Sequence, residues 1–118
     1  MNPYRSKKET EGTKPTRFYS SIQEQSVAKN SGGKQTKNSG ATQFQKGDVI
    51  SEDFLFECKT KMDHVQSFTI KKEWLEKNLI ESAFMGKKYS ALVFNFGPNE
   101  KNYYVLDENT FNELTNKE

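Results

Sequence analysis

The chain has little of several residue types, and each shortage excludes a class of protein. A single cysteine, Cys58, leaves no intrachain disulfide framework and fits a reducing compartment. A single histidine, His64, excludes a cluster of histidine metal ligands and a conventional zinc site, and we expect it at the surface. No apolar run is long enough to span a bilayer, and no signal-peptide core follows Met1. The sequence therefore predicts a soluble, intracellular protein, cytoplasmic and without a membrane segment.

Apolar residues are also scarce, and charge is unevenly distributed. The 118 residues are 32% hydrophobic with a mean hydropathy of −0.96, which is enough for one domain with a modest core. Residues 1–46 carry a net charge of +6 and residues 47–118 a net charge of −4. We interpret residues 1–16 as a flexible basic arm and 17–118 as a single domain. A basic first part suits a polyanionic partner, and a merely solvated lead-in is the alternative.

Hydrophobic periodicity and turn residues predict an α/β or α+β domain. The pattern indicates a mixed β-sheet flanked by helices, in the order α-β-β-β-α-β-β-α. The predicted helices cover residues 18–30, residues 69–85 and a short segment capped by Asp107. The second helix is predicted to be amphipathic, with apolar residues at helical spacing that are Ile70, Trp74, Leu75, Leu79, Ala83 and Phe84. The predicted strands cover 48–51, 54–60, 89–96 and 102–106, with a further strand near 41–45, and the rest of residues 31–47 is predicted as loop.

The segment from Asp48 to Lys59 is the most informative part of the chain. A two-residue turn at Glu52-Asp53 would join two strands and place Asp48 directly opposite Glu57, with Cβ atoms ~4.5–5.5 Å apart. Lys59 would share the face of Glu57 because side chains alternate along a strand, and Cys58 would point to the opposite face, in the core. Two carboxylates this close destabilise a hairpin unless a cation compensates them, and oxygen ligands suit Mg²⁺. A turn one residue longer would shift the pairing and separate the two acids.

Further polar residues are candidates for the same site or for phosphate contacts. Glu24 falls on a helix face made of small and apolar residues, although a surface glutamate is the alternative. Residues 31–47 are rich in glycine, hydroxyl, amide and lysine groups, which are the usual contacts to backbone phosphates. A plain flexible loop is the alternative. Lys71 and Lys72 lie in the predicted first turn of the second helix, where the helix dipole favours an anion. They either contact an anionic ligand or form a solvated pair at the surface. The DNA-binding candidates are Lys34, Lys37, Ser39, Lys46, Lys71 and Lys72.

Four short segments together resemble a known family. They are Glu24 in the first helix, Gly47-Asp48-Val49-Ile50, Phe56-Glu57-Cys58-Lys59, and Ser67-Phe68-Thr69-Ile70-Lys71-Lys72 at the second helix. This order resembles the PD-(D/E)XK nuclease superfamily and, within it, the small Holliday-junction resolvases of archaea and their phage relatives. The resemblance covers about residues 18–106. It departs from the motif at Gly47, which stands where the motif name has proline.

The resemblance implies a restriction-endonuclease-like core and a role for each matching residue. Asp48 and Glu57 would bind Mg²⁺ or Mn²⁺, with the Cys58 carbonyl as a possible extra ligand and Glu24 completing the site directly or through water. Lys59 would orient or help deprotonate the attacking water. The implied activity is hydrolysis of phosphodiester bonds in branched, four-way DNA by a homodimer, in DNA recombination and repair. The resemblance and the small size point to a phage-encoded protein.

Three other functions stay open at the level of sequence. The chain could be another nuclease of the superfamily, of a restriction or repair type. It could be a non-catalytic nucleic-acid-binding protein of the same fold, or an interaction module without nucleic acid. The aromatic residues Phe94, Phe96, Tyr103 and Tyr104 either contribute to a dimer interface or fill the core on both faces of the sheet.

Overall fold

A computed structural model describes residues 16–36 and 48–116, which form a mixed α/β domain. Residues 1–15 of the predicted arm and the predicted strand near 41–45 lie outside these ranges, as do Lys37, Ser39 and Lys46. The helices are α1 (Thr16–Ser31), α2 (Lys72–Phe84) and α3 (Glu108–Thr115). The strands are β1 (Lys34–Gln35), β2 (Asp48–Ile50), β3 (Phe54–Lys59), β4 (Tyr89–Phe94) and β5 (Tyr103–Val105).

The five strands form one mixed sheet, which confirms the predicted fold class. Their order in the sheet is β1-β2-β3-β4-β5. Neighbouring strands are antiparallel except for β3 and β4, which are parallel. Parallel strands need a long crossover, and α2 supplies it. Strand β4 is paired on both sides and buries Ala91, Leu92 and Val93, so its apolar sequence fits an interior position.

The two faces of the sheet differ in chemistry. On one face α1 packs its Val27 against a hydrophobic cluster formed by Val49, Phe56, Ala91 and Val93. Cys58 is partly buried against this cluster, as its strand alternation predicts, and burial raises the pKa of its thiol. The other face carries Leu55 and Leu92, both fully buried, together with charged residues of β2 and β3. Helix α2 contacts β3 and β4 from this second side.

Helix α2 differs from its prediction in where it begins and in which face it buries. It begins at Lys72 rather than at residue 69, because Lys71 is in an extended conformation and occupies the N-cap. The apolar spacing predicted a buried face that includes Leu79 and Phe84, but both side chains are exposed. The buried residues of α2 are Asn78, Glu81 and Ser82. Within the described residues no helix is both long enough and apolar enough to cross a membrane.

Two local features near the ends of the domain follow from particular residues. Asp107 caps α3 as predicted, and its carboxylate accepts a hydrogen bond of 2.8 Å from the Thr110 backbone N–H. Strand β1 was expected as loop, but Lys34 and Gln35 pair with β2. Gly33 permits this close approach, because a Cβ atom at this position would overlap the carbonyl oxygen of Ile50.

Candidate metal centre

The hairpin formed by β2 and β3 has the predicted register. Asp48 pairs with Glu57, Val49 with Phe56, and Ile50 with Leu55. The Ser51 N–H donates to the Phe54 carbonyl at 3.0 Å, which closes the turn around Glu52 and Asp53. The two carboxylates therefore lie on adjacent strands, on the face of the sheet that α2 covers.

A third carboxylate, that of Glu81 on α2, joins the pair. One carboxylate oxygen from each of Asp48, Glu57 and Glu81 lies within 4.8 Å of the other two. Asp48 is 2% exposed and Glu81 is 3% exposed, whereas Glu57 is half-buried. Oxygen ligands around one divalent cation are separated by about 3–5 Å, because each lies roughly 2.0–2.6 Å from the ion. The three side chains could therefore hold one such cation with small adjustments.

The environment of Asp48 favours a bound proton or cation on its carboxyl group. The Asp48 Oδ1 atom is buried and has no hydrogen-bond partner in the part of the chain that the structure describes. Burial, followed by the charges of Glu57, Glu81 and Glu24, raises the pKa of the Asp48 carboxyl from 3.8 to about 8. Burial and Glu57 also raise the pKa of Glu81. A buried carboxyl in this setting either keeps a proton or takes a cation.

Lys59 contributes a positive charge at the edge of the carboxylates. Its ammonium nitrogen lies 3.3 Å from Glu57 Oε2 and 4.3 Å from the centroid of the Trp74 ring. Both contacts hold a long, flexible side chain in one place, and the side chain stays half-buried. An ammonium group so placed can donate hydrogen bonds to an anion that approaches the carboxylates.

One face of α2 carries the residues that complete this arrangement. Trp74, Asn78 and Glu81 follow one another by four and three residues and therefore lie along one side of the helix. The Asn78 amide donates to the carbonyl oxygens of Leu55 at 3.3 Å and Ala91 at 3.1 Å, which fixes the helix to both parallel strands. Trp74 contacts Lys59 one turn before Asn78, and Glu81 reaches the acids one turn after it.

The sequence prediction does not include Glu81, because the helical spacing of the apolar residues of α2 predicts that they form its buried face. The signal that could have identified it is the spacing of the polar residues Asn78, Glu81 and Ser82, which is helical and places them on one face. Apolar residues usually mark the buried side of an amphipathic helix. Here the sheet face offers carboxylates and main-chain carbonyls, so polar side chains of α2 are the ones that dock on it.

Glu24 and Cys58 lie near the group of three carboxylates but are not members of it. Glu24 is buried on α1, which covers the opposite face of the sheet, and its Oε1 accepts a hydrogen bond of 3.1 Å from the Gln35 amide. It influences the Asp48 carboxyl through its charge but is not a member of the group of three. Cys58 directly follows Glu57, at the point where the pairing of β3 with β2 ends.

The predicted phosphate-contact residues that the structure describes fall in two places. Lys34 is exposed on the edge strand β1. Lys71 and Lys72 are exposed at the start of α2, where the Lys71 ammonium lies 5.7 Å from the Trp74 ring centroid. Lys72 also forms a pair of 3.8 Å with Glu76 on the helix surface. Lys71 is therefore the predicted contact residue that lies on the same aromatic ring as Lys59.

Comparison with protein-family models, with curated proteins and with solved structures returns no match. Function must therefore be inferred from the chemistry of the site.

Proposed function

We propose that this chain is a metal-dependent DNA endonuclease. The observation that carries the proposal is the group formed by Asp48, Glu57 and Glu81, beside which Lys59 lies. Within this group, a buried Asp48 oxygen has no hydrogen-bond partner among the residues that the structure describes. Structural carboxylates in a core are normally neutralised by hydrogen bonds or basic side chains. Three clustered acids with one half-buried lysine fit an ion-binding site better than a packing role.

The chemistry of the donor set favours Mg²⁺ or Mn²⁺. Both are hard cations that take carboxylate oxygens, and Mg²⁺ characteristically combines one or two carboxylates with phosphate oxygens of a substrate. A bound ion would supply Lewis-acid stabilisation of the phosphodiester transition state and a lowered pKa for the attacking water. In this proposal Asp48, Glu57 and Glu81 bind the ion, and Glu24 acts on the site only through its charge on Asp48.

Lys59 has a separate part in the proposed reaction. Its ammonium group would donate a hydrogen bond to a nonbridging phosphate oxygen or to the attacking water, and it would offset the charge that develops on the phosphoryl group. Its contact with Glu57 holds it beside the carboxylates. Its contact with Trp74 restricts the side chain without neutralising it. Lys71, on the same ring, would add a contact to the DNA backbone.

The choice of DNA, and of a four-way junction as the preferred substrate, rests on the resemblance in sequence. In a junction-resolving enzyme, two symmetric nicks require two active sites, which a twofold homodimer supplies. We therefore propose a homodimer that acts on branched DNA. A restriction- or repair-type enzyme would share the metal centre and differ in the DNA that it cleaves.

The test compares cleavage of a synthetic four-way junction with cleavage of a linear duplex built from the same arms. Both substrates are incubated with Mg²⁺ and the wild-type chain, Glu57→Gln, or the matched control Glu76→Gln, which changes an exposed glutamate of α2. Binding of Mn²⁺ is followed in parallel by electron paramagnetic resonance. We expect wild type and Glu76→Gln to bind Mn²⁺ and nick the junction, and Glu57→Gln to lose both properties.

Different outcomes separate the competing functions. Cleavage of both substrates retains the nuclease and removes the junction preference. DNA binding without cleavage in either metal supports a non-catalytic nucleic-acid-binding protein. Equal Mn²⁺ binding by wild type and Glu57→Gln would show that the carboxylates do not form a metal site.

A further inference from the structure

Five aromatic side chains form a continuous surface on the α2 side of the sheet. We call this surface the aromatic shelf; it consists of Phe68, Trp74, Phe94, Phe96 and Tyr103. The Phe68 ring lies 4.8 Å from Phe94 and 6.4 Å from Trp74, measured between centroids. Phe94 lies 5.6 Å from Tyr103 with nearly parallel ring planes, and Phe96 contacts both.

Strand pairing places the aromatic shelf directly beside the metal centre. Lys59 pairs with Phe94 across β3 and β4, and Phe94 pairs with Tyr103 across β4 and β5. Paired residues face the same side of a sheet, and Lys59 shares its face with Glu57 two residues earlier. The row of side chains that begins at Lys59 therefore continues away from the carboxylates as aromatic rings.

Lysine side chains are interleaved with these rings. Besides Lys59 on Trp74, the Lys61 ammonium lies 5.3 Å from the Phe68 centroid and the Lys71 ammonium 5.7 Å from the Trp74 centroid. Lys61 and Lys71 are exposed. Three lysines therefore lie on two rings of the aromatic shelf. Alternating cations and ring faces suit a ligand that carries both negative charges and flat apolar groups.

The rings of the aromatic shelf stay partly exposed, whereas core residues of the same sheet are fully buried. Leu92 and Val93 are completely buried on β4, whereas Phe94 and Phe96 are half-buried and Tyr103 is 44% exposed. A cluster of large aromatic groups that stays partly open to water marks a binding surface more often than a packing solution. Its charge complements a polyanion.

We propose that the aromatic shelf stacks unpaired bases of a nucleic acid strand whose phosphates follow Lys71, Lys59 and Lys61. The inference rests on the proposed nuclease function and narrows its substrate to nucleic acid that exposes unpaired bases near the scissile bond, including a junction in which base pairs open at the branch point. Stacking on aromatic side chains is available to every base, but the faces of paired bases are hidden inside a duplex. The surface therefore favours branched, flapped or gapped DNA over intact duplex.

The chain offers a matched pair of variants. Tyr103 and Tyr104 are adjacent on β5 and are 44% and 43% exposed, but they face opposite sides of the sheet. Tyr104 packs edge to face against Phe56 on the α1 side. Tyr103→Leu therefore removes a ring from the aromatic shelf, and Tyr104→Leu removes an equally exposed ring outside it.

The experiment measures binding of the full chain in EDTA, where no cleavage occurs. A fluorescein-labelled single-stranded oligo-dT and a labelled blunt duplex of equal length are each titrated with the protein, and binding is followed by fluorescence anisotropy. In a second measurement, DNA is added to the protein and quenching of the fluorescence of Trp74, the only tryptophan in the chain, is recorded. We expect oligo-dT to quench Trp74. We expect Tyr103→Leu to weaken oligo-dT binding about 5- to 100-fold, with duplex binding nearly unchanged and Tyr104→Leu like wild type.

Several results would overturn the proposal. One is equal binding of oligo-dT by Tyr103→Leu and wild type. Another is an equal loss for duplex and oligo-dT. A shift from dimer to monomer in light scattering, caused by Tyr103→Leu without any change in oligo-dT affinity, would assign the surface to a second copy of the chain. Phe68→Leu repeats the test at a loop residue, in case Tyr103→Leu disturbs the sheet.

Failure of the nuclease proposal is distinguishable from failure of this inference. Oligo-dT binding in EDTA depends on neither metal nor cleavage, so it can persist in a chain that does not cleave DNA. Conversely, a chain that cleaves junction and duplex equally, with Tyr103→Leu as active and as tightly bound as wild type, would keep the metal centre and lose the aromatic shelf as a binding surface.

Discussion

Replacing Asp48 with asparagine should stabilise the metal-free protein while it removes the proposed metal site. The pKa of the Asp48 carboxyl is raised from 3.8 to about 8, with burial as the largest cause. Because the folded pKa lies above the unfolded one, the folded chain binds more protons than the unfolded chain between about pH 4 and pH 8. Its stability therefore falls as pH rises through that window.

The size of the effect follows from the shift. At pH 7 Asp48 is protonated in the folded protein, whereas in the unfolded chain it loses its proton about three pH units lower. At about 1.4 kcal/mol per pH unit, this difference lowers the free energy of unfolding by roughly 4 kcal/mol. The asparagine side chain of Asp48→Asn would need no such proton, and an amide can also donate a hydrogen bond to neighbouring carboxylates. Even half of this cost, about 2 kcal/mol, corresponds to a change in Tm of roughly 8–16 °C for a domain of this size.

The assay is thermal unfolding followed by circular dichroism in EDTA, at pH 5 and pH 8, for wild type, Asp48→Asn and Asp53→Asn. Asp53 is an exposed aspartate in the turn of the same hairpin and serves as the control. We expect Asp48→Asn to unfold at a higher temperature than wild type at pH 8, with a smaller difference at pH 5. At pH 8, Mg²⁺ should raise the Tm of wild type and of Asp53→Asn but not that of Asp48→Asn.

A lower stability of Asp48→Asn than of wild type at pH 8 in EDTA would contradict a raised pKa of Asp48 in the folded protein. An equal loss of stability by wild type and Asp48→Asn between pH 5 and pH 8 would contradict it as well. Either result would mean that Asp48 is an ordinary structural acid with partners of its own.

Three further predictions follow from other residues. Glu81→Gln should weaken Mn²⁺ binding by about tenfold or more in electron paramagnetic resonance titrations while the exposed Glu76→Gln does not, and equal affinities would remove Glu81 from the site. Gly33→Ala should destabilise the domain by about 1–3 kcal/mol in urea unfolding, because the new Cβ would overlap a main-chain carbonyl of β2; an unchanged midpoint would contradict this packing. Asp107→Ala should cost about 1 kcal/mol at pH 7, because it removes the cap hydrogen bond to the Thr110 N–H. This hydrogen bond also lowers the pKa of Asp107, so the difference should shrink as pH falls through that pKa, and a difference independent of pH would contradict this account.

The sequence allowed the hairpin to be predicted because its determinants are local. The spacing between Asp48 and Glu57 and a two-residue turn are sufficient to define the register, and alternation then places Lys59 beside Glu57. The Asp107 cap and the apolar strand β4 are local in the same sense. The sequence of elements could therefore be read in order along the chain.

The third carboxylate could not be predicted in this way, because its position depends on which side of α2 meets the sheet. Apolar spacing predicts that Leu79 and Phe84 are buried, but both are exposed, and the side that meets the sheet carries Asn78, which donates to two main-chain carbonyls. That choice depends on acceptors from β3 and β4, which are available only after the two strands have paired. The pairing of β1 with β2 likewise depends on the absence of a side chain at Gly33, a property of the assembled sheet.

The attachment of α2 to the parallel strands also bears on the order of events during folding. Asp48 and Glu57 meet within a short hairpin, whereas Glu81 follows Glu57 by 24 residues and reaches the acids only when α2 has docked. Contacts of high sequence separation form late, because loop closure must precede them. We therefore expect a partly folded chain to hold two of the three acids and to bind divalent ions weakly, so that ion uptake follows completion of the domain. In stopped-flow refolding, uptake of Mn²⁺ that preceded the final change in Trp74 fluorescence would contradict this order.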